Sequence, residues 1–227
     1  MDLKYLYVLS DLVAPGMYVK IVAISGSQVS KRRVHHMSLV IAAISKDNDI
    51  IVCGEGRSVN PITEEILAED TIKAFKLNSS LIIAYVGNDT KTTPLKVHLL
   101  KLCINYYKTW DVENIYKEAL KYEKENHKVE NGELQFLAAG YDDNNNPHLY
   151  VIGANKAAVG SYDYCQEKTV SIGNMDYVLY FDKENDDANI IESKIISTIK
   201  EKAKIDPVIN DNITCKLHIS LSSQHLD

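Results

Sequence analysis

The sequence predicts an α+β fold, a four-layer αββα sandwich in which two antiparallel β-sheets lie between layers of helices. Its elements follow the order strands, two helices, strands, helices, strand, which excludes the strict βαβ alternation of parallel sheets. Turn-forming residues join neighbouring strands directly, as antiparallel hairpins require. With 227 residues, of which 45% are hydrophobic, the chain can bury one sizeable core.

The first half of the predicted domain begins with a buried hairpin. Two apolar runs, residues 38–44 and 50–53, are joined by the turn-forming residues 46–49. A short helix is predicted around residues 64–73. A third core strand follows at 81–86, where a continuous apolar run ends at Gly-Asn.

Two amphipathic helices are predicted next. Apolar or half-polar residues from Leu95 to Tyr106 recur at the spacing of one helical face. Asp111 is a suitable N-cap for a second helix, whose stripe runs from Val112 to Leu120. We therefore expect two helices that lie side by side.

The last third of the chain predicts a second hairpin, a helix and a closing strand. Strands at 134–139 and 148–152 flank a loop of Asp, Asn and Pro at 142–147. Helical spacing of isoleucines predicts a helix over 186–204, and alternation predicts a strand over 213–221.

The first 36 residues differ from the remainder in composition. They carry five Lys and Arg against two Asp, a net charge of +3, so with a total of −6 the remainder carries −9. They show no sustained period, and we expect residues 1–37 to be a leader, a propeptide or mis-assigned upstream translation before a domain at 38–227. Loss of Met37 would expose the amine of Ser38. The alternative is a genuine tail or extra strand, because residues 5–12 and 18–24 are β-prone.

Composition and spacing argue against several classes of partner. The net charge of −6, without a basic patch, argues against nucleic acid. Asp11 and Lys20 interrupt the longest apolar run, so neither a membrane span nor a signal peptide is expected. The four cysteines lack metal or disulfide spacing and are predicted to be reduced core thiols.

No cofactor or metal is expected. The chain has no Gly-rich phosphate loop, and its histidines lack ligand spacing. The acidic loop at 142–146 lacks the glycine and terminal Glu of an EF-hand loop.

Motifs in residues 38–221 resemble, in order and spacing, the proteasome β-subunit family, which is part of the N-terminal-nucleophile hydrolases and includes the bacterial ATP-dependent protease ring. Ser-Leu-Val-Ile-Ala-Ala-Ile at 38–44 resembles the Thr-Thr-led first strand of that family. Val-Cys-Gly-Glu-Gly-Arg at 52–57 resembles its Ala-Ala-Asp-Ser-Arg segment, with Glu55 in place of the aspartate. Thr-Ile-Lys at 71–73, with the strand at 81–87, is similar to its catalytic-lysine segment.

The C-terminal half carries further resemblances and two departures. Gly-Tyr-Asp at 140–142 and the strand at 147–152 resemble the second hairpin of the family, and 171–173 resembles the Gly-Ser-Gly start of its third helix. Asn174 replaces the serine of that motif. Of the Asp-x-x-Ser-Gly-Gly pattern that supports the nucleophile, only Asp206 is present.

The resemblance implies an active site in which an N-terminal Ser38 supplies both the nucleophilic hydroxyl and, through its α-amine, the general base. Lys73 would favour ionisation of that hydroxyl, Glu55 would hold the lysine, and the Gly87 N–H would stabilise the oxyanion. Asp206 would support the amine. The alternatives without catalytic function are that Ser38 is only a strand residue, that Glu55 and Lys73 form a surface ion pair, and that Gly87 is only a turn glycine.

The implied function is hydrolysis of peptide bonds by a cytoplasmic, bacterial-type peptidase. We expect a homo-oligomer, either a ring or a dimer, that acts on peptides or proteins with a possible separate ATPase partner. Two other functions stay open: a catalytically inactive, structural proteasome-like subunit, and an amidohydrolase that acts on small molecules.

Overall fold

The computed structural model describes residues 38–60, 63, 65–87, 94, 97–98, 101, 112–126, 134–152, 164–165, 169–173, 182 and 185–221. Residues 1–37, including the predicted leader, lie outside this range. The strands are β1 Leu39–Ile44, β2 Ile50–Glu55, β3 Ser58–Val59, β4 Ile66–Ala68, β5 Ala74–Asn78, β6 Leu81–Gly87, β7 Leu134–Tyr141, β8 Pro147–Ile152, β9 Tyr164–Cys165, β10 Thr169–Gly173 and β11 Ile213–Ile219. The helices are α1 Val112–Asn126 and α2 Ala188–Ala203.

The strands form two main sheets and one small hairpin. The first sheet has the order β10-β1-β2-β11, the second has the order β5-β6-β7-β8-β9, and β3 pairs with β4. Every strand pair in these sheets is antiparallel. The predicted α+β class with antiparallel sheets is thus confirmed.

Three apolar clusters show how these elements pack. The central cluster joins the facing sides of the two sheets, with Val40 and Val52 from one and Ile82 and Leu137 from the other. The outer face of the five-stranded sheet packs against α1, and the outer face of the four-stranded sheet packs against α2. All six residues of β1 are buried because apolar groups cover both of its faces, which explains its unbroken apolar sequence.

The helix predicted around residues 64–73 is wrong. Ile66–Ala68 forms β4 instead, and residues 69–73 belong to neither a helix nor a strand. Asn60 closes the β3–β4 hairpin, since its N–H donates to the Glu65 carbonyl at 2.8 Å. Further along, the Thr71 N–H donates to the Gly56 carbonyl at 2.8 Å. These hydrogen bonds take the place of the i to i−4 bonds that a helix would need.

The predicted pair of neighbouring helices lies partly outside the described residues, as does the predicted cap Asp111. Residues 94, 97, 98 and 101 are helical. His98 Nε2 lies 2.9 Å from Glu118 Oε1 of α1, and the His98 ring lies against Tyr122 with 4.7 Å between ring centroids. The described part of this segment therefore contacts α1, as expected for neighbouring helices, through residues outside the predicted stripe of α1.

The remaining predicted elements occur with small shifts in their ends. The helix predicted over 186–204 begins at Ala188, because the side chain of Asp187 caps it by accepting the Ile190 N–H at 2.9 Å. Cys53 and Cys215 are free and buried, as expected for core thiols. Neither α1 nor α2 combines the length and apolar character needed to span a bilayer.

Candidate functional site

Ser38 lies immediately before β1 and is buried, with 5% of its surface exposed. The next residue, Leu39, pairs with Gly173 at the end of β10. Gly173 has a φ of +98°, and a Cβ added to it would lie 1.9 Å from the Ser38 carbonyl oxygen. The site therefore requires glycine at 173, because only a residue without a side chain allows this close approach.

Glu55, the last residue of β2, has a completely buried side chain that accepts hydrogen bonds from four donors. Oε1 accepts the Leu39 N–H at 3.1 Å and also accepts from Nζ of Lys73. Oε2 accepts the N–H groups of Arg57 at 2.6 Å and Asn210 at 3.4 Å. One carboxylate thus connects the start of β1, the lysine and the C-terminal segment.

Lys73 lies just before β5 and is 3% exposed. Its Nζ contacts Glu55 Oε1 and donates to the Arg57 carbonyl oxygen at 2.5 Å. The backbone carbonyl of Lys73 accepts the Tyr85 N–H at 2.9 Å, which fixes the lysine against β6. Burying two charges costs several kcal/mol of desolvation per ion, and pairing with additional hydrogen bonds offsets that cost. The fold places Lys73 and Glu55 so that each buried charge is balanced by the other.

An outer polar network covers this buried pair. The Arg57 guanidinium binds the Glu69 carboxylate through Nε at 3.2 Å and Nη2 at 3.0 Å. The Asn210 side chain also donates to Glu69, and its Oδ1 accepts the Gly56 N–H at 3.2 Å. Hydrogen bonds from Arg57 and then from Asn210 lower the pKa of the Glu69 carboxyl. Asn210 therefore links the exposed Glu69 to the buried Glu55.

Gly87 ends β6 and has a φ of +123°, a conformation that favours glycine. It pairs with Leu134, while its neighbour Val86 pairs with Gln135. Gly87 is thus placed at the same end of the sheet as Gln135, with its backbone turned out of the regular strand conformation.

Gln135 is a polar residue within the apolar strand β7, and only 1% of it is exposed. Leu137 and Ala139, two and four residues later, belong to the cluster between the sheets, so strand alternation places Gln135 on that inner face. Its Oε1 accepts the Gly173 N–H at 2.6 Å. Among the described residues its Nε2 has no hydrogen-bond partner.

Asp206 lies in the turn that follows α2. Its N–H donates to the Lys202 carbonyl at 2.9 Å, and its Oδ1 accepts the Val208 N–H at 3.1 Å. The turn continues through the buried Ile209 to Asn210. Asp206 thus shapes the segment that delivers the Asn210 N–H to Glu55.

The structure brings Ser38, Glu55 and Lys73 together, because the residue after Ser38 and the lysine bind the same oxygen of Glu55. Gly87 is connected to this group through β7. It pairs with Leu134, and the next residue, Gln135, accepts the Gly173 N–H. The structure places Asp206 one turn away from the residue that contacts Glu55.

Sequence reasoning did not identify three parts of the site. The Arg57 carbonyl and the Asn210 N–H are backbone groups, and sequence patterns do not show where such groups point. Gln135 could have been found, since it is an amide inside the otherwise apolar run Leu-Gln-Phe-Leu-Ala-Ala at 134–139.

The arrangement can hold an ammonium group in fixed position beside a serine at the start of a strand. Within the described part of the chain, no group of three His, Cys, Asp or Glu residues is placed to hold a metal ion. Comparison of the chain with models of known protein families gives no match, and a search of curated proteins gives none.

Proposed function

We propose that the chain is an N-terminal-nucleophile hydrolase with the four-layer αββα fold of proteasome β-subunits, and that it hydrolyses peptide bonds with Ser38. The observation that carries the proposal is the shared oxygen of Glu55, which accepts from both the Leu39 N–H and Lys73 Nζ. A lysine held this close to the residue after Ser38 is positioned to influence the serine itself. A purely structural ion pair would not need to lie at the start of β1.

The reaction needs Ser38 as the first residue, so that its nitrogen is an amine. In the proposed step, Oγ attacks the substrate carbonyl carbon while the Oγ proton moves to the amine, directly or through a water. The C–N bond of the substrate then breaks, and the departing nitrogen takes that proton. Water hydrolyses the resulting ester by the same route in reverse.

Four other residues support this reaction. The Lys73 ammonium favours the alkoxide form of Ser38 by its charge, and Glu55 keeps Lys73 in place. The Gly87 N–H donates to the oxyanion. Asp206 stabilises the C-terminal turn and, through it, the surroundings of the amine.

The expected assembly is a homo-oligomer, a ring or a dimer, in the cytoplasm. Peptides or unfolded proteins are the proposed substrates, with a separate ATPase where folded substrates are used. If the protein is instead monomeric and cleaves only small amides, the small-molecule amidohydrolase is the correct alternative.

A second candidate, an inactive structural subunit, is favoured by one specific feature. The residue three positions after Asp206 is Ile209, which is 1% exposed and has no hydroxyl group to offer the nucleophile. In this case Glu55 and Lys73 would only join the start of β1 to β2 and β5.

The first test is the intact mass and N-terminal sequence of the protein expressed from its native gene context. The proposal expects a chain that starts at Ser38 and reacts there with a β-lactone, which acylates N-terminal nucleophiles. Its acylation rate should increase with pH through about 7.7–8.0, because only the neutral amine accepts a proton.

Matched serine variants control this test. Ser38→Ala should abolish the mass increase, whereas Ser79→Ala, at an exposed turn, should leave it unchanged. A retained Met37 or longer N-terminus, together with no labelling at Ser38, would support the inactive subunit.

A further inference from the structure

Gln135 combines a satisfied acceptor with an unsatisfied donor at the end of the sheets where Ser38 lies. Its Oε1 accepts the Gly173 N–H at 2.6 Å. This bond fixes the carboxamide, so the position of Nε2 is fixed as well. Gln135 is buried, with only 1% of it exposed, and among the described residues Nε2 has no hydrogen-bond partner.

A buried donor without an acceptor is unfavourable by about 1–3 kcal/mol, so its presence calls for an explanation. The fixed carboxamide has two neighbours that belong to the proposed site. Gly173 lies against the Ser38 carbonyl, and Val86, which pairs with Gln135, immediately precedes Gly87. The unsatisfied donor is therefore close to both the proposed nucleophile and the proposed oxyanion donor.

We propose that Gln135 Nε2 is a second donor to the substrate carbonyl oxygen, which it binds together with the Gly87 N–H. This inference rests on the proposed function and adds a residue to it. An amide carbonyl oxygen has two lone pairs and gains negative charge when Ser38 attacks. Two fixed donors satisfy both lone pairs, and the hydrogen bond to Gly173 removes the cost of orienting the amide during the reaction.

The donor character of Gln135 Nε2 also restricts the substrate class. An N–H donor that approaches the carbonyl oxygen favours amides and esters, which present an acceptor there. A ligand with an ammonium group or other donor in this position would place donor against donor. The substrate is thus an acyl compound bound through its carbonyl, as a peptide bond is.

The test compares the wild type with Gln135→Glu and Gln135→Met in full-length protein expressed from the native gene context. Both substitutions remove the Nε2 donor, but glutamate keeps an acceptor for the Gly173 N–H. The measurement is the rate of β-lactone acylation at Ser38 by mass spectrometry at pH 8.5, above the usual pKa of an α-amine. Lys76→Met, at an exposed position of β5, serves as the control.

The proposal expects both Gln135 variants to react about 100-fold more slowly, as loss of one oxyanion donor does in other enzymes. The loss should appear in the maximal acylation rate rather than in the inhibitor concentration for half-saturation. The Lys76→Met control should react at the wild-type rate.

Three outcomes would overturn the proposal. Wild-type rates in both variants would show that Nε2 does not act on the carbonyl, while the proposed hydrolase would stand. A slow Gln135→Met with a normal Gln135→Glu would assign only a positioning role, through Gly173. Failure of the wild type itself to react at Ser38 would remove the proposed function, and this inference with it.

Discussion

The carboxylate of Glu55 and the ammonium of Lys73 are both almost completely removed from solvent. Each charge is tolerated in the interior only because the other is present. Removing one partner of a buried pair leaves an uncompensated charge, which costs much more than the pair contributes when intact.

Lys73→Met should therefore reduce the free energy of unfolding by about 3–5 kcal/mol, because it leaves Glu55 without its counter-charge. Urea unfolding measures this change. Lys76→Met, an exposed lysine in the adjacent strand, should change stability by less than ~0.5 kcal/mol. The double variant Glu55→Gln with Lys73→Met should recover part of the lost stability but no acylation of Ser38. A loss below ~1 kcal/mol in the single variant would contradict the buried-pair interpretation.

Asp142 holds the turn between β7 and β8. Partial burial disfavours its ionised form, but hydrogen bonds from His148, Asn146 and Asn144 outweigh this effect and lower its pKa to about 2. A carboxyl with a lowered pKa in the folded state stabilises the fold above its unfolded pKa, about 3.9. That contribution is lost as the pH falls through the folded value.

Asp142→Ala should therefore lower the urea midpoint at pH 6, with a loss of about 1–2 kcal/mol from the broken turn hydrogen bonds. Between pH 4 and pH 2 the difference between variant and wild type should shrink, because the wild-type carboxyl becomes protonated. Asp143→Ala, at an exposed neighbouring position, controls for the change in net charge. A difference that stays constant down to pH 2 would exclude the carboxylate as its source.

At the level of elements, the contact between β10 and the start of β1 is the tightest constraint described. Gly173→Ala would place a methyl group 1.9 Å from the Ser38 carbonyl oxygen in a conformation that side chains rarely adopt. We expect a loss of about 3 kcal/mol or more, measured by thermal unfolding, and slower acylation of Ser38. A variant with unchanged stability would show that β10 does not pack against Ser38 in this way.

The sequence predicted strands best where burial alone decides the pattern. Continuous apolar runs identified β1, β2, β6 and β7, since both faces of these strands are covered. The helix predicted at 64–73 failed because hydrogen bonds to Gly56 and within the Asn60 turn, rather than local propensity, determine that segment. Such bonds join residues that the sequence does not show to be neighbours.

The candidate site was predictable where side chains carry it and unpredictable where the backbone does. Ser38, Glu55 and Lys73 were proposed from motif order, and the structure brings them together. The Asn210 N–H and the Arg57 carbonyl carry no side-chain signature, because every residue type except proline has both groups. Only the fold shows which of them reach the buried charges.

At the level of the molecule, Tyr141 ties the two main sheets together. It lies on β7, and its hydroxyl is within 2.9 Å of the Asn48 carbonyl in the β1–β2 turn and 3.2 Å of the Ile219 carbonyl at the end of β11. The pKa of Tyr141 is raised mainly by burial and further by the negative charge of Asp49. The hydroxyl is therefore a neutral donor.

Tyr141→Phe should reduce the free energy of unfolding by about 1–2 kcal/mol, because two carbonyl groups lose the hydroxyl donor that they share while the ring packing is kept. Urea unfolding at neutral pH measures the loss. Tyr85→Phe provides the comparison, since its hydroxyl donates to the Ile72 carbonyl in an exposed hydrogen bond of 3.1 Å. Equal effects in the two variants would exclude a special contribution from the tie between sheets.

The order of strands in the four-stranded sheet also governs when the protein can fold during synthesis. β1 and β2 leave the ribosome first, yet their other neighbours are β10 and β11, and Glu55 accepts from a residue 155 positions later. Contacts so distant in sequence form late and slowly. A nascent chain shorter than about 210 residues carries Ser38, Glu55 and Lys73 but lacks the Asn210 donor that completes their surroundings. The surroundings of Ser38 are therefore completed only when the segment that contains Asn210 joins the four-stranded sheet.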